Sequence, residues 1–164
     1  MTTVVFTKDQ VAADGMITDG HRIGTTDFSK ICETDRYIIG MAGCVGQCQR
    51  VVDWIKDGFV DQDGTPYIPY IHEREEVAYS VAYIDKLDGK IYCVEGLCFD
   101  IIECSYPYAI GSGGDFALGY LYGKRASAKG LAAKAIKAAS RFDHMTNDTI
   151  KIINVNLLDN EEDL

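Results

Sequence analysis

The first fifteen residues, MTTVVFTKDQVAADG (1–15), contain two apolar runs on either side of a polar turn. The runs Val4–Thr7 and Gln10–Asp14 predict two β-strands, because short segments rich in β-branched and apolar residues are typical of strands. Lys8 and Asp9 lie between the runs, at the spacing of a tight turn. The chain is therefore expected to open with a β-hairpin.

Thr2 precedes this hairpin and becomes the first residue if Met1 is removed. An N-terminal threonine carries a nucleophilic hydroxyl and, on the same residue, an α-amine that can accept its proton. The α-amine has a reference pKa of about 7.7–8.0, so much of it is neutral near physiological pH, whereas a lysine amine at about 10.4 is not. Thr2 is thus a candidate nucleophile. Met-Thr is equally an ordinary start of an edge strand, so the rest of the sequence has to distinguish the two interpretations.

Composition bounds the class of protein. A chain of 164 residues with 47% apolar and 25% charged residues predicts one domain over residues 1–164 with room for a core. The net charge of −9 argues against nucleic acid and an anionic membrane surface as partners, because these require clustered Lys and Arg. Neither a membrane span nor a signal peptide is expected, since Lys8 and Asp9 interrupt the first apolar run. An acidic tail at about residues 157–164 is expected to be solvated.

Six cysteines raise the question of a metal site. None forms a C-x-x-C pair, and the three histidines are scattered, so the spacing of a zinc site is not present. We interpret the cysteines as mostly buried, reduced thiols, which favours the cytoplasm and predicts neither a metal nor another cofactor. The residues concerned are Cys32, Cys44, Cys48, Cys93, Cys98 and Cys104, with His21, His72 and His144.

The remaining pattern predicts further strands, one helix, more strands, two helices and a last strand. Val45–Lys56 is expected to be a helix because apolar residues recur there at spacings of three and four. Asp115–Tyr122 and the alanine-rich Ser127–Phe142 predict the other two helices. This order indicates an α+β fold with helices outside two packed sheets. The other predicted strands are Phe28–Glu33, Tyr37–Ala42, Glu76–Ile84, Lys90–Val94, Leu97–Glu103, Tyr108–Ile110 and Thr149–Val155.

Several short motifs follow one another in a distinctive order. They are Thr2-Thr3-Val4-Val5, Ala13-Asp14-Gly15, Ser29-Lys30, Met41-Ala42-Gly43 and Ala109-Ile110-Gly111-Ser112-Gly113-Gly114, followed by Asp143 and Thr146. With this order and spacing, nearly the whole chain resembles the N-terminal-nucleophile hydrolases of the proteasome β-subunit and bacterial HslV type. The resemblance implies a four-layer αββα sandwich. It also implies a threonine-type endopeptidase for unfolded proteins, assembled as a homo-oligomeric ring and supplied by an ATP-driven unfoldase.

The same resemblance implies roles for individual residues. Thr2 is the nucleophile, and Lys30 is the catalytic lysine, whose positive charge helps to draw a proton off the Thr2 hydroxyl. Asp14 pairs with Lys30 and keeps it charged. Gly43 contributes a backbone N–H to the oxyanion hole at the start of a helix.

Five further residues complete the set that the resemblance implies. Ser112 lies near the nucleophile, with Asp143 and Thr146 as further members of the same network. Met41 and Val45 line the pocket for the residue before the cleaved bond, and their side chains favour an apolar residue there.

Three features depart from the family pattern, and two other functions stay open. The region from Asp57 to Glu75 is too short and too rich in Gly and Pro for the usual second helix, Cys44 adds a thiol beside the oxyanion hole, and Asp115 adds a negative charge. Retention of Met1 would block the Thr2 amine and favour a non-catalytic, ring-forming subunit. A small assembly without a chamber would favour an amidase that acts on a small molecule.

Overall fold

The computed structural model describes residues 2–72, 76–125 and 127–159, and these form two antiparallel sheets, a separate hairpin and three helices. In chain order the elements are β1 (Val4–Phe6), β2 (Gln10–Asp14), β3 (Ile17–Asp19), β4 (Arg22–Thr25), β5 (Ile31–Glu33), β6 (Tyr37–Gly43), α1 (Val45–Lys56), β7 (Tyr79–Asp85), β8 (Lys90–Glu95), β9 (Asp100–Cys104), β10 (Tyr108–Ile110), α2 (Gly114–Leu121), α3 (Leu131–Ala139) and β11 (Ile150–Asn154). The mixture of helices and strands, and their general order, agree with the sequence prediction.

The β1–β2 hairpin forms the centre of a four-stranded sheet with the order β10–β1–β2–β11. All three pairings are antiparallel, and Val4 lies opposite Ala13 on one side and Ile110 on the other. Because β1 and β2 run in opposite directions, the residues before β1 and those at the end of β2 lie side by side at one end of the two strands. Thr2 and Asp14 are therefore close to each other at this end of the hairpin.

Strands β5 to β9 form the second sheet in sequence order, again with antiparallel pairing throughout. Strand β6 is buried from Tyr37 to Ala42 and contacts the first sheet. A Cβ atom at Gly40 would lie 2.7 Å from the Val4 side chain and 2.8 Å from that of Phe6. Glycine at this position therefore lets the two sheets approach each other.

Each sheet buries side chains on both faces. Ile38 of β6 belongs to an apolar cluster with Val4 and Phe6 of the first sheet. Ile39, whose side chain points the other way, belongs to a cluster with Trp54 and other residues of α1. A third cluster joins the opposite face of the β1–β2 hairpin to α2 and α3. The core is thus divided into three clusters by the two sheets.

Helix α1 begins and ends at the predicted residues, but α3 is shorter than the predicted Ser127–Phe142. Gly130 precedes α3 with a φ of 69°, and its N–H donates to Asp9 Oδ2 at 2.8 Å. This contact with a residue distant in sequence fixes the start of the helix. After Ala139, the N–H of Phe142 bonds only three residues back, to the Ala139 carbonyl, so the helix tightens and ends.

The β3–β4 hairpin was not predicted, because Ile17 and Ile23 are its only large apolar residues and most of the hairpin is exposed. Three predicted strands, Phe28–Glu33, Glu76–Ile84 and Leu97–Glu103, begin three residues before β5, β7 and β9, so those starting points were wrong. Residues 57–72 contain no helix, as predicted for that part of the segment. Met1, residues 73–75 and most of the acidic tail, 160–164, lie outside the described residues. Within the described ranges, no helix has the length and apolar character needed to cross a membrane.

Candidate active site

The carboxylate of Asp14 accepts hydrogen bonds from side-chain and backbone donors in four segments of the chain. Its Oδ1 accepts hydrogen bonds from the Thr2 hydroxyl at 3.1 Å, from the Thr3 backbone N–H at 2.9 Å and from Lys30 Nζ at 2.9 Å. Its Oδ2 accepts from the backbone N–H groups of Met16 at 3.0 Å and Asn147 at 3.3 Å. Asp14 is fully buried, so these five donors replace water around its charge.

Lys30 lies just before β5 and points its ammonium into the site. Only 5% of the residue is exposed, and Nζ also donates to the Met16 carbonyl. Burial lowers the pKa of Lys30 from its usual value, while the charge of Asp14 and its hydrogen bond oppose this effect. Lys30 and Asp14 thus form a buried ion pair.

A second carboxylate, Asp143, organises the other side of the site. Its Oδ2 accepts from the Ser112 hydroxyl at 2.7 Å and from the Thr146 hydroxyl at 2.6 Å, and its Oδ1 accepts from the Met145 N–H at 3.0 Å. Burial by itself would raise the pKa of Asp143, but these hydrogen bonds outweigh it and hold the pKa below its ordinary value. Asp143 is therefore stabilised as an anion.

The glycine-rich loop before α2 presses against the first two described residues. Gly111 has a φ of 93°, and a Cβ atom there would lie 1.8 Å from the Thr2 carbonyl oxygen. A Cβ atom at Gly113 would lie 2.1 Å from Thr3 Oγ1. Both positions require glycine, since any side chain would displace the segment that carries the candidate nucleophile.

A pocket of about 160 Å³ opens beside Thr2 and Lys30. Gly43 lies on its wall with a φ of 107°, and a Cβ atom there would lie 2.2 Å from the Ala78 carbonyl oxygen, so only glycine fits. Apart from Thr18, the other side chains that line the pocket are apolar or contain sulfur. They are those of Met16, Ile17, Phe28, Met41, Ala42, Cys44, Val45 and Cys48.

Val45, the first residue of α1, is 41% exposed and lines this pocket. Cys44 is also exposed at the pocket, beside Gly43 as expected. Only Cys48 and Cys93 of the six cysteines are buried, so the prediction that the cysteines are mostly buried was wrong. Burial raises the pKa of the neighbouring Cys48 to about 11, which leaves that thiol protonated. Asp115 is exposed in the first turn of α2 and is not among the residues that line the pocket.

The structure brings the sequence-predicted residues together in three groups. Thr2, Asp14 and Lys30 are joined by hydrogen bonds. Ser112, Asp143 and Thr146 form the second network, while Gly43, Met41 and Val45 line the pocket with Thr2 and Lys30. Their roles in catalysis stay predictions.

Sequence reasoning missed two residues that connect these groups. The Thr3 hydroxyl lies 2.6 Å from the Thr146 hydroxyl, which links the two networks. Asn147 accepts from the Gly15 N–H at 2.9 Å and donates to the Thr26 carbonyl at 2.9 Å, holding the base of the β3–β4 hairpin beside Asp14. The only signal in the sequence was adjacency, of Thr3 to Thr2 and of Asn147 to Thr146.

Comparison with solved structures finds proteins that have a similar fold. No protein-family model and no curated protein sequence matches the chain. Among solved structures it is similar to eukaryotic HslV from Trypanosoma brucei, with a TM-score of 0.64 and 18% identity over 93% of this chain and 97% of that chain. It is also similar to BPH from Thiobacillus denitrificans, with a TM-score of 0.65 and 18% identity over 94% of this chain and 98% of that chain. BPH in complex with epoxomicin gives the same values. The likeness confirms the predicted resemblance at the level of fold.

Proposed function

We propose that this chain is a threonine-type endopeptidase subunit that uses Thr2 as its nucleophile after removal of Met1. One observation carries the proposal: Asp14 Oδ1 binds both the Thr2 hydroxyl and the Lys30 ammonium, at 3.1 and 2.9 Å, beside an apolar pocket. The general base that this arrangement still needs is the α-amine of Thr2, which is free once Met1 is removed. The likeness in fold to HslV and BPH supports the same activity.

In the proposed first step, the Thr2 amine takes the proton of the Thr2 hydroxyl while Oγ bonds to the carbonyl carbon of the peptide. Negative charge develops on the carbonyl oxygen, and the Gly43 N–H, close to the N-terminus of α1, donates to it. The proton then passes from the amine to the leaving nitrogen as the C–N bond breaks. The acyl group remains on Thr2 as an ester.

The second step releases the acyl group. The same amine takes a proton from water, whose oxygen bonds to the ester carbon. The bond from that carbon to Thr2 Oγ breaks, and the proton returns to Oγ. Because one amine acts as the base in both steps, blocking it by retained Met1 would stop the whole cycle.

Lys30 contributes positive charge rather than a base in this scheme. Its ion pair with Asp14 holds the ammonium near the Thr2 hydroxyl, where a positive charge favours loss of the hydroxyl proton. Backbone N–H groups of Thr3 and Met16 hold the Asp14 carboxylate in turn. The charge is thus fixed before the substrate arrives, which avoids reorganisation during the reaction.

The pocket beside Thr2 is proposed to bind the side chain that precedes the cleaved bond. Met41 and Val45, predicted for this role, line it together with Met16 and Phe28. Thioether and aliphatic side chains around a volume of about 160 Å³ favour an apolar residue of moderate size.

The assembly proposed for this activity is a homo-oligomeric ring that receives unfolded polypeptides from an ATP-driven unfoldase, as the family resemblance implies. The three apolar clusters support the layer order αββα, with α2 and α3 on the four-stranded sheet and α1 on the five-stranded sheet. All six cysteines are free, which suits the reducing cytoplasm.

The test begins with the intact mass of the purified protein, which reports whether Met1 has been removed. Protein without Met1 is then incubated with peptides that carry an apolar residue before the cleaved bond and, separately, with epoxomicin, the ligand of the BPH complex. We expect peptide cleavage and a stable epoxomicin complex, and neither from Thr2→Ala. Protein that retains Met1 is the matched control, because it differs from the Met1-free protein only in that its Thr2 amine is blocked.

Three results would replace the proposal. A Met1-free protein that forms rings but cleaves nothing would be a non-catalytic, ring-forming subunit. Cleavage of small amides without cleavage of peptides would indicate a small-molecule amidase. Undiminished peptide cleavage by Thr2→Ala would exclude the threonine mechanism.

A further inference from the structure

Thr3 connects the two carboxylate networks of the site. Its backbone N–H donates to Asp14 Oδ1 at 2.9 Å, and its hydroxyl lies 2.6 Å from that of Thr146, which belongs to the Asp143 network. Its carbonyl accepts from the Asp14 N–H at 3.2 Å. Thr3 is fully buried, so each of these polar groups is satisfied within the protein.

The direction of the hydrogen bonds follows from counting protons. The Thr146 hydroxyl has one proton, which it donates to Asp143 Oδ2 at 2.6 Å. It must therefore accept from Thr3, whose own single proton points towards Thr146 Oγ1. A directed chain runs from the Thr3 hydroxyl through Thr146 to the Asp143 carboxylate, and that carboxylate also binds Ser112.

The residue that follows Thr2 is consequently held on its amide, its carbonyl and its side chain. The Gly113 backbone packs closely against the Thr3 hydroxyl, since a Cβ atom at Gly113 would lie 2.1 Å from Thr3 Oγ1. The next two residues, Val4 and Val5, are buried and purely apolar, so strand formation and burial alone do not require a hydroxyl at position 3. The hydroxyl instead fixes the chain between Asp14 and Asp143.

We propose that Thr3 is a positioning residue, whose hydroxyl fixes the Thr2 nucleophile between the Asp14–Lys30 pair and the Ser112–Asp143–Thr146 network. The inference rests on the proposed function and deepens it. Without this bond, Thr2 keeps its hydroxyl and its amine, but the peptide that carries them is free to shift. A shift of well under 1 Å at a reacting atom slows the chemical step while leaving the substrate pocket intact.

The experiment compares isosteric variants of the Met1-free protein in steady-state peptide cleavage. Thr3→Val removes the hydroxyl at nearly constant volume, and Thr3→Ser restores it. Thr7→Val is the matched control, because Thr7 also uses its hydroxyl, at the other end of β1. Thermal unfolding of each variant is measured in parallel, and Thr3→Ala replaces Thr3→Val if valine prevents folding.

We expect kcat of Thr3→Val to fall by about 10- to 100-fold while KM changes by less than about twofold, because positioning affects the chemical step and not the pocket. Thr3→Ser should recover most of kcat, and Thr7→Val should keep it. The double variant Thr3→Val/Thr146→Val should lose little more than the more impaired single variant, because both substitutions break one chain of hydrogen bonds.

Wild-type kcat in Thr3→Val, or failure of Thr3→Ser to recover it, would overturn the positioning role while leaving the proposed function in place. An inert wild-type protein that lacks Met1 would overturn both. The two failures are therefore distinguishable in a single set of assays.

Discussion

The two ends of the β1–β2 hairpin use the same residue types for different purposes. At the turn, the Thr7 hydroxyl donates to Asp9 Oδ1 at 2.8 Å, across two residues of sequence. At the open end, the Thr2 hydroxyl donates to Asp14 Oδ1 at 3.1 Å, across twelve residues. A threonine, an aspartate and a nearby lysine occur at both ends, yet only one end has the arrangement of an active site.

The two ends of the hairpin differ in burial and in the segment of the chain that supplies the lysine. Lys8 is exposed beside Asp9, whereas Lys30 comes from another segment and is 5% exposed against a fully buried Asp14. A charge in contact with water is screened, while a buried pair interacts strongly and is held in one geometry. The comparison indicates that the arrangement at the open end depends on tertiary burial rather than on the residue types.

The largest expected contrast between the two ends is in activity. Thr2→Ala should reduce peptide cleavage by more than about 1000-fold, because the nucleophile is removed. Thr7→Ala, which removes the same hydroxyl at the turn, should leave the cleavage rate unchanged. Initial rates of the two Met1-free variants, with circular dichroism to verify the fold, provide the measurement. Equal residual rates would show that the two ends do not differ in function.

The lysines provide the next contrast. Lys30→Ala should lose activity nearly as fully as Thr2→Ala, by at least about 100-fold, because the charge that favours hydroxyl deprotonation is lost. Lys8→Ala should retain full activity. A rate for Lys30→Ala within a few-fold of the wild type would refute the catalytic assignment of Lys30.

Substitution of the aspartates should separate the two ends in stability. Asp14→Asn leaves the Lys30 ammonium buried without its counter-charge and should lower the free energy of unfolding by about 3–5 kcal/mol. Asp9→Asn keeps an acceptor oxygen for the Thr7 hydroxyl or for the Gly130 N–H but not for both, and the loss of one hydrogen bond at this half-buried position should cost about 1–2 kcal/mol. Urea unfolding at neutral pH gives both values. Similar losses at the two positions would mean that the burial of the open end has no energetic consequence.

A smaller effect should appear in acid. The pKa of Asp143 is lowered in the folded protein because hydrogen bonds from Thr146, Ser112 and Met145 outweigh burial. Its contribution to stability is therefore complete above the unfolded pKa of about 3.9 and is lost as the pH falls through the lower folded value. Unfolding free energies measured between about pH 5 and 2 should fall less steeply for Asp143→Asn than for the wild type. Identical slopes would contradict this assignment.

Local sequence patterns were sufficient to predict the bounds of three elements. Helix α1 was predicted to the residue because its apolar positions recur at helical spacing and Gly58, with a φ of 71°, follows its end. Strands β2 and β10 were also predicted with the observed bounds. The pattern failed for α3, whose first turn is replaced by the bond from Gly130 to Asp9. That bond joins residues 121 positions apart, which no local pattern reports.

The candidate site divides in the same way. Thr2, Asp14 and Lys30 could be named in advance because their motifs occur in an ordered set along the chain. Their shared contact at Asp14 Oδ1 depends on the pairing of β1 with β2 and on the path of the segment before β5. Asn147 could not be named, because its partners Gly15 and Thr26 are distant in sequence and adjacent only in the fold.

By itself, the sequence determined the order of helices and strands apart from the β3–β4 hairpin, the mixed α and β class, and the residue types available for chemistry. These follow from apolar periodicity and from turn residues, which act over a few positions. Only the tertiary structure decided which of the two Thr–Asp–Lys groups is buried and which way the hydroxyl chain through Thr3 runs. The physical reason is that burial, and with it the strength of a charge or a hydrogen bond, is set by packing between distant segments.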